Sequence, residues 1–149
     1  MSLTNKHIVA IDDTGAILTF LRISLEALGA SFHGAATASG GMMLCETEHP
    51  DLVILDLHLP DKEGLNILPR LKHLSKDRNM PIVVLTVYKE QEVRDMAMAQ
   101  GADAYLTKPF IMDDLIEIIH NQLQTGRDTP LKLVKAGKNA RLLENGNGV

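Results

Sequence analysis

The chain has 149 residues, 45% of them apolar and 23% charged, ordinary usage for one globular domain with at most a short appendage. No apolar run approaches the roughly 18 to 20 residues that cross a bilayer, the N-terminus carries no signal-peptide pattern, and the lone cysteine, Cys45, excludes an internal disulfide. An intracellular, cytoplasmic setting is therefore expected. The net charge of −4 is uneven: 10 Lys/Arg stand against 17 Asp/Glu through Gln124, and 5 against 2 from Thr125 onward. An acidic body argues against a general nucleic-acid surface, and the tail is mildly basic.

Strand-like and helix-like patterns alternate along the body. "HIVAID" (His7 to Asp12) is a short apolar run ending in acids. It is followed by Ile17, Phe20, Leu21, Leu25 and Leu28 at helical spacing, with Gly29 as a stop. "SFHGAATA" predicts a weak second strand, and Ser39 is a candidate N-cap for a helix that ends before Pro50. "DLVILD" is a third strand. "EGLNILPRLKHLS" is a third helix, in which Pro69 predicts a kink or a late start. "PIVVLT" gives a fourth strand and "KEQEVRDMAMAQGA" a helix closing at Gly101, a left-handed C-cap candidate. "AYLTKPF" is a fifth strand broken by Pro109, and "MDDLIEIIHNQLQ" is an amphipathic fifth helix.

Strands that are apolar throughout are buried on both faces, as in parallel sheets covered by helices. Five β/α units of this kind predict an α/β fold. The expected architecture is a flavodoxin-like, doubly wound, five-stranded parallel sheet of order 2-1-3-4-5 with five helices. Residues 5–124 form the expected domain. Residues 125–149, ending in "NGNGV", are expected to be a linker or flexible tail.

A carboxylate is costly at the end of a buried strand, yet "LVILD" ends on Asp56. In open parallel sheets chemistry collects at the C-terminal edge of the strands. That edge gathers Asp12 and Asp13 from the first strand, Asp56 from the third, Thr86 from the fourth and Lys108 from the fifth. Three converging carboxylates call for a hard, oxygen-seeking cation, and Mg2+ fits. A carboxylate beside a divalent cation, an ammonium and a hydroxyl is equipped to attack a phosphoryl group and hold it as an aspartyl phosphate. Asp56 is the candidate acceptor.

Four stretches in order, "IDD", "LVILDLHLPDKEGL", "PIVVLT" and "GADAYLTKPF", make the chain resemble the receiver domains of two-component response regulators from about His7 to Gln124. The resemblance implies that Asp12, Asp13 and Asp56 bind Mg2+ together with the backbone carbonyl of His58. It implies that a histidine kinase or phosphotransfer protein phosphorylates Asp56, and that Thr86 and Lys108 contact the phosphoryl group. The Lys108–Pro109 bond is expected to be cis. Tyr105 is expected to act as a switch ring that turns inward as Thr86 moves toward the phosphoryl oxygens. A weak homodimer through the fourth helix, fifth strand and fifth helix is a further implication. On this view the chain is no metabolic enzyme, only a switch with self-phosphorylation and self-dephosphorylation activity.

The alternative from another class is a receiver-shaped interaction module that is never phosphorylated. A haloacid-dehalogenase-type hydrolase is excluded, because it needs an acid two residues after the nucleophile and His58 stands there. His58 and Tyr88 flank the expected path of attacking water; crowding of that path by Val87 and Tyr88 predicts slow hydrolysis of the phosphoryl group, whereas His58 could cut the other way by orienting the water. The other histidines show no metal-ligand spacing.

Overall fold

The structure, a computed structural model, describes residues 2–75, 79–125, 132–136 and 139–143. The body alternates β1 (His7–Ile11), α1 (Gly15–Glu26), β2 (Ser31–Ala35), α2 (Ala38–Glu48), β3 (Leu52–Leu55), α3 (Gly64–Ser75), β4 (Ile82–Thr86), α4 (Gln91–Ala99), β5 (Ala104–Thr107) and α5 (Met112–Thr125). The strands form one parallel sheet of order β2-β1-β3-β4-β5, as the sequence predicts.

Every residue of β3, β4 and β5 is buried, because each face of the sheet has its own helical cover. Ile8, Ala10, Ile54, Val83, Leu85 and Leu106 point to the face covered by Leu21 and Leu25 of α1 and by Leu115, Ile118 and Ile119 of α5. Their neighbours Val9, Ile11, Val53, Leu55, Ile82 and Val84 point to the other face, under Met42 and Cys45 of α2, Leu68 and Leu71 of α3 and Ala97 of α4. The strand period of two sorts alternate residues into these two cores. At about 25 cal/mol per Å2 of apolar area, burying one Leu or Ile contributes roughly 2 kcal/mol, so the sheet is a rigid base for whatever its edge carries.

One local expectation, the cap of α2, comes out differently, and a late start of α3 is excluded. Helix α2 is capped by Thr37, whose side chain accepts from the Gly40 N–H at 3.0 Å, and not by Ser39. Helix α3 begins at Gly64, so Pro69 lies within it and does not delay its start. Pro69 is exposed, where the carbonyl freed by its missing N–H can meet water. After α5, residues Lys132–Ala136 (β6) and Asn139–Leu143 (β7) pair antiparallel where the sequence suggests a linker or tail. β6 lies beside α5 and β7 beside β5. Gly101, the expected helix stop, has φ +121° just beyond α4.

Candidate functional site

Asp12, Asp56 and Lys108 stand at strand exits with their backbones still held by neighbouring strands. The Asp12 N–H donates to the Ala35 carbonyl at 3.0 Å, the Asp56 N–H to the Ile11 carbonyl at 2.9 Å and the Lys108 N–H to the Thr86 carbonyl at 2.8 Å. The ladder thus fixes the Cα positions while the side chains leave the sheet at its C-terminal edge. Asp12 is 2% exposed, Asp56 4% and Thr86 0%; Asp13 is exposed.

The side chains converge. Lys108 Nζ donates to Asp12 Oδ2 at 2.7 Å and to Asp56 Oδ2 at 3.1 Å, closing a contact between residues 96 positions apart in sequence. Asp12 Oδ1 accepts from the Thr14 N–H at 2.9 Å, and Asp56 Oδ1 accepts from the His58 N–H at 3.1 Å. One carboxylate oxygen from each of Asp12, Asp13 and Asp56 lies within 4.8 Å of the others. The Lys108–Pro109 peptide is cis, as expected.

Burial pushes the Asp12 carboxyl above its ordinary value, against the pull of Lys108 and the Thr14 N–H. Burial alone would lower the Lys108 ammonium. The hydrogen bond to Asp12 and the charges of Asp56 and Asp12 outweigh it and hold the ammonium above its ordinary value. One cation cannot balance three carboxylates. An all-oxygen donor set with an excess of negative charge fits Mg2+, which takes one or two carboxylates and keeps waters as its remaining ligands.

Tyr105 is 3% exposed, and its hydroxyl donates to the Tyr88 carbonyl at 2.8 Å. The ring is therefore buried, with its hydroxyl held by the connection between β4 and α4. Val87 is 55% exposed. Its neighbour Tyr88 meets His58 edge-on, with the hydroxyl 3.2 Å from His58 Nδ1. Burial, together with the charges of Glu63, Asp56 and Glu90, raises the Tyr88 phenol above its ordinary value.

The sequence reading missed Asp61. Its two oxygens accept from the Ala38 N–H at 2.7 Å and the Ser39 N–H at 3.0 Å, which lowers its carboxyl below the ordinary value. These are the first free donors of α2, so Asp61 ties the loop that follows Asp56 to the neighbouring helix. A carboxylate one residue after Pro60 was the only available signal, and it named no partner.

The family model for the response regulator receiver domain matches residues 8–120. The KDP operon transcriptional regulatory protein KdpE of Escherichia coli is 37% identical over 109 residues, covering 73% of this chain and 47% of its own length. Among solved structures, a CheY-like response regulator receiver domain protein from Methanospirillum hungatei superposes with a TM-score of 0.77 at 35% identity, covering 81% of this chain and 95% of that one. A response regulator protein from Burkholderia pseudomallei, described with a phosphorylated aspartic acid, a calcium ion and citrate, reaches 0.71 at 31% identity over 81% of this chain and 68% of that one. The chain belongs to the response regulator receiver family of two-component systems. It spans about half the length of several of the curated relatives it matches. No helix among the described residues is long and apolar enough to cross a membrane.

Proposed function

We propose that Asp56 accepts a phosphoryl group from a histidine kinase or phosphotransfer protein, and that the product switches a protein-interaction surface in the cytoplasm. The observation that carries the proposal is Lys108 Nζ lodged between the buried carboxylates of Asp12 and Asp56. An Asp56 oxygen attacks phosphorus, the P–N bond to the donor imidazole breaks, and a proton goes to the departing nitrogen. Lys108 and the Thr86 hydroxyl hydrogen-bond the phosphoryl oxygens as charge develops on them. Asp12, Asp13 and Asp56, with the carbonyl of His58, would hold Mg2+, which supplies charge neutralisation when bound. The likeness to a protein described with a phosphorylated aspartic acid supports the acceptor role.

Phe20 and Ile23 of α1 and Ile111 before α5 are exposed large apolar side chains. Phe20 stacks near Phe110, two residues past Lys108, with ring centroids 6.1 Å apart. This apolar collar beside the acidic edge suits a helical donor protein. The weak homodimer through α4, β5 and α5 stays part of the proposal, and no nucleic acid is assigned to this segment. The protein acts as a switch and not as a metabolic enzyme.

The decisive experiment is intact mass after incubation with acetyl phosphate and Mg2+. One phosphoryl adduct is expected, lost in Asp56→Asn and lost without Mg2+. An adduct that survives Asp56→Asn sinks the assignment, and no adduct from any donor favours the phosphorylation-independent module. Tyr88, braced by His58 across the approach to Asp56, is expected to slow hydrolysis of the adduct. Tyr88→Ala should then shorten its lifetime several-fold, and an unchanged lifetime removes Tyr88 from that role.

A further inference from the structure

Tyr105 belongs to the buried core under α2, α3 and α4 and lies in register with Val84 of β4. From α4, Arg94 places its guanidinium carbon 5.9 Å from the centre of the Tyr105 ring. The Arg94 Nε is buried and has no hydrogen-bond partner, and no ion pair among the described residues includes Arg94. A guanidinium has five donors and ordinarily spends them on carboxylates, carbonyls or water. This one gives up a donor in order to lie against an aromatic face, where cation–π attraction compensates.

Tyr88 joins that ring to the acidic edge through its backbone. Its carbonyl accepts from the Tyr105 hydroxyl at 2.8 Å, and its N–H faces Thr86 Oγ1 at 3.5 Å. The hydroxyl proposed to contact the phosphoryl group and the proposed switch ring thus grip the two polar groups of one residue.

We infer that Arg94 is a positioning residue that holds Tyr105 in its buried place independently of any phosphoryl group. Through the Tyr88 backbone, the connection between β4 and α4 is thereby held in the arrangement in which Tyr105 is buried. Where Tyr105 sits is independent of the proposed function; what its position accomplishes rests on that proposal. A site whose competent state is already populated binds its ligand with an affinity undiminished by the cost of switching. Loosening Arg94 lowers the populated fraction and weakens phosphoryl binding in proportion.

The chain has two tyrosines, so 3-fluorotyrosine labelling of the Tyr88→Phe protein leaves one fluorine NMR signal, from Tyr105. That signal is expected to show a buried, solvent-insensitive ring before any phosphoryl analogue is added, and to move little on adding Mg2+ and beryllofluoride. Arg94→Met should shift it toward a solvent-exposed average and weaken beryllofluoride binding by roughly three- to tenfold. Arg94→Lys, which keeps a cation over the ring, should recover most of both. An exposed signal that becomes buried only with beryllofluoride overturns the inference. So does an Arg94→Met protein that is unchanged in both readouts. If beryllofluoride binds no variant while the free protein still shows a buried, Arg94-dependent ring, the positioning role stands and the proposed function falls.

Discussion

Two lysines meet carboxylates at opposite ends of the same sheet, and the two sites are built to different rules. At the entry of β5, Lys72 of α3 donates to Asp103 at 2.7 Å, and the same Asp103 oxygen accepts from the Ile82 N–H at 2.8 Å. The side chains of this pair are 27% and 18% exposed. At the exit, Lys108 faces Asp12 and Asp56 at once, with Asp13 beside them and side-chain exposures of 12% and less for the paired groups. The entry pair ties β4, β5 and α3 together. The exit cluster sets three carboxylates against the Lys108 ammonium, and its burial raises the Asp12 carboxyl, as expected of a site suited to a further positive charge.

The two lysine sites are of one kind if replacing either lysine has the same effect. Lys108→Met is expected to slow phosphorylation of Asp56 by about 10- to 100-fold, the worth of a charge-assisted hydrogen bond to developing phosphoryl charge. Lys72→Met is expected to leave that rate unchanged while lowering unfolding free energy by about 1 kcal/mol. Acetyl-phosphate labelling rates and urea denaturation of the two variants check both halves. A rate loss in Lys72→Met would merge the two classes.

Mg2+ sharpens the same contrast. At about ten times its dissociation constant it should stabilise the wild-type fold by about 1.4 kcal/mol, several degrees in Tm. Asp12→Asn should lose most of that shift, whereas Asp103→Asn should keep it. Thermal melts with and without Mg2+ decide, and an equal shift in all three proteins would mean that the cation binds elsewhere.

The smallest effect concerns Asp61. Its carboxyl lies below the ordinary value because the Ala38 and Ser39 N–H groups favour the charged form. The stabilisation is therefore complete above about pH 3.9 and is lost as pH falls through the lower folded value. Asp61→Ala should lower Tm at pH 7, with the gap closing only below about pH 3.9. A gap that is the same at both pH values would mean the carboxylate charge is not its cause.

What the sequence discloses depends on how a signal is written into it. The β3 and β4 runs, and the acids, threonine and lysine that end strands, are local patterns, so the sheet and the convergence of Asp12, Asp56 and Lys108 were legible. Contacts between loops leave no such mark. The sequence offers Ser39 as the cap of α2, but Thr37 takes that place and Asp61 arrives from 22 residues away to accept from the Ser39 N–H. The rotamer of Tyr105 is similarly invisible, since a tyrosine reads the same whether its ring lies in or out. The cover that decides it, Arg94, sits on another element. In β6 and β7 the alternating positions are too few for a period of two to stand out against a polar, glycine-containing tail.

Gly64 opens α3 eight residues after Asp56, and a methyl group there would lie 2.6 Å from both the Asp56 carbonyl oxygen and the Leu57 Cα. Neither is the end of a flexible side chain that could swing aside, so any larger residue must shift the β3–α3 connection, and Asp56, the proposed acceptor, moves with it. In a saturation-mutagenesis screen for signalling, Gly64 would be as intolerant as Asp56 while supplying no group to the reaction. A map of intolerant positions would then outline the hollow behind the aspartate as sharply as the aspartate itself.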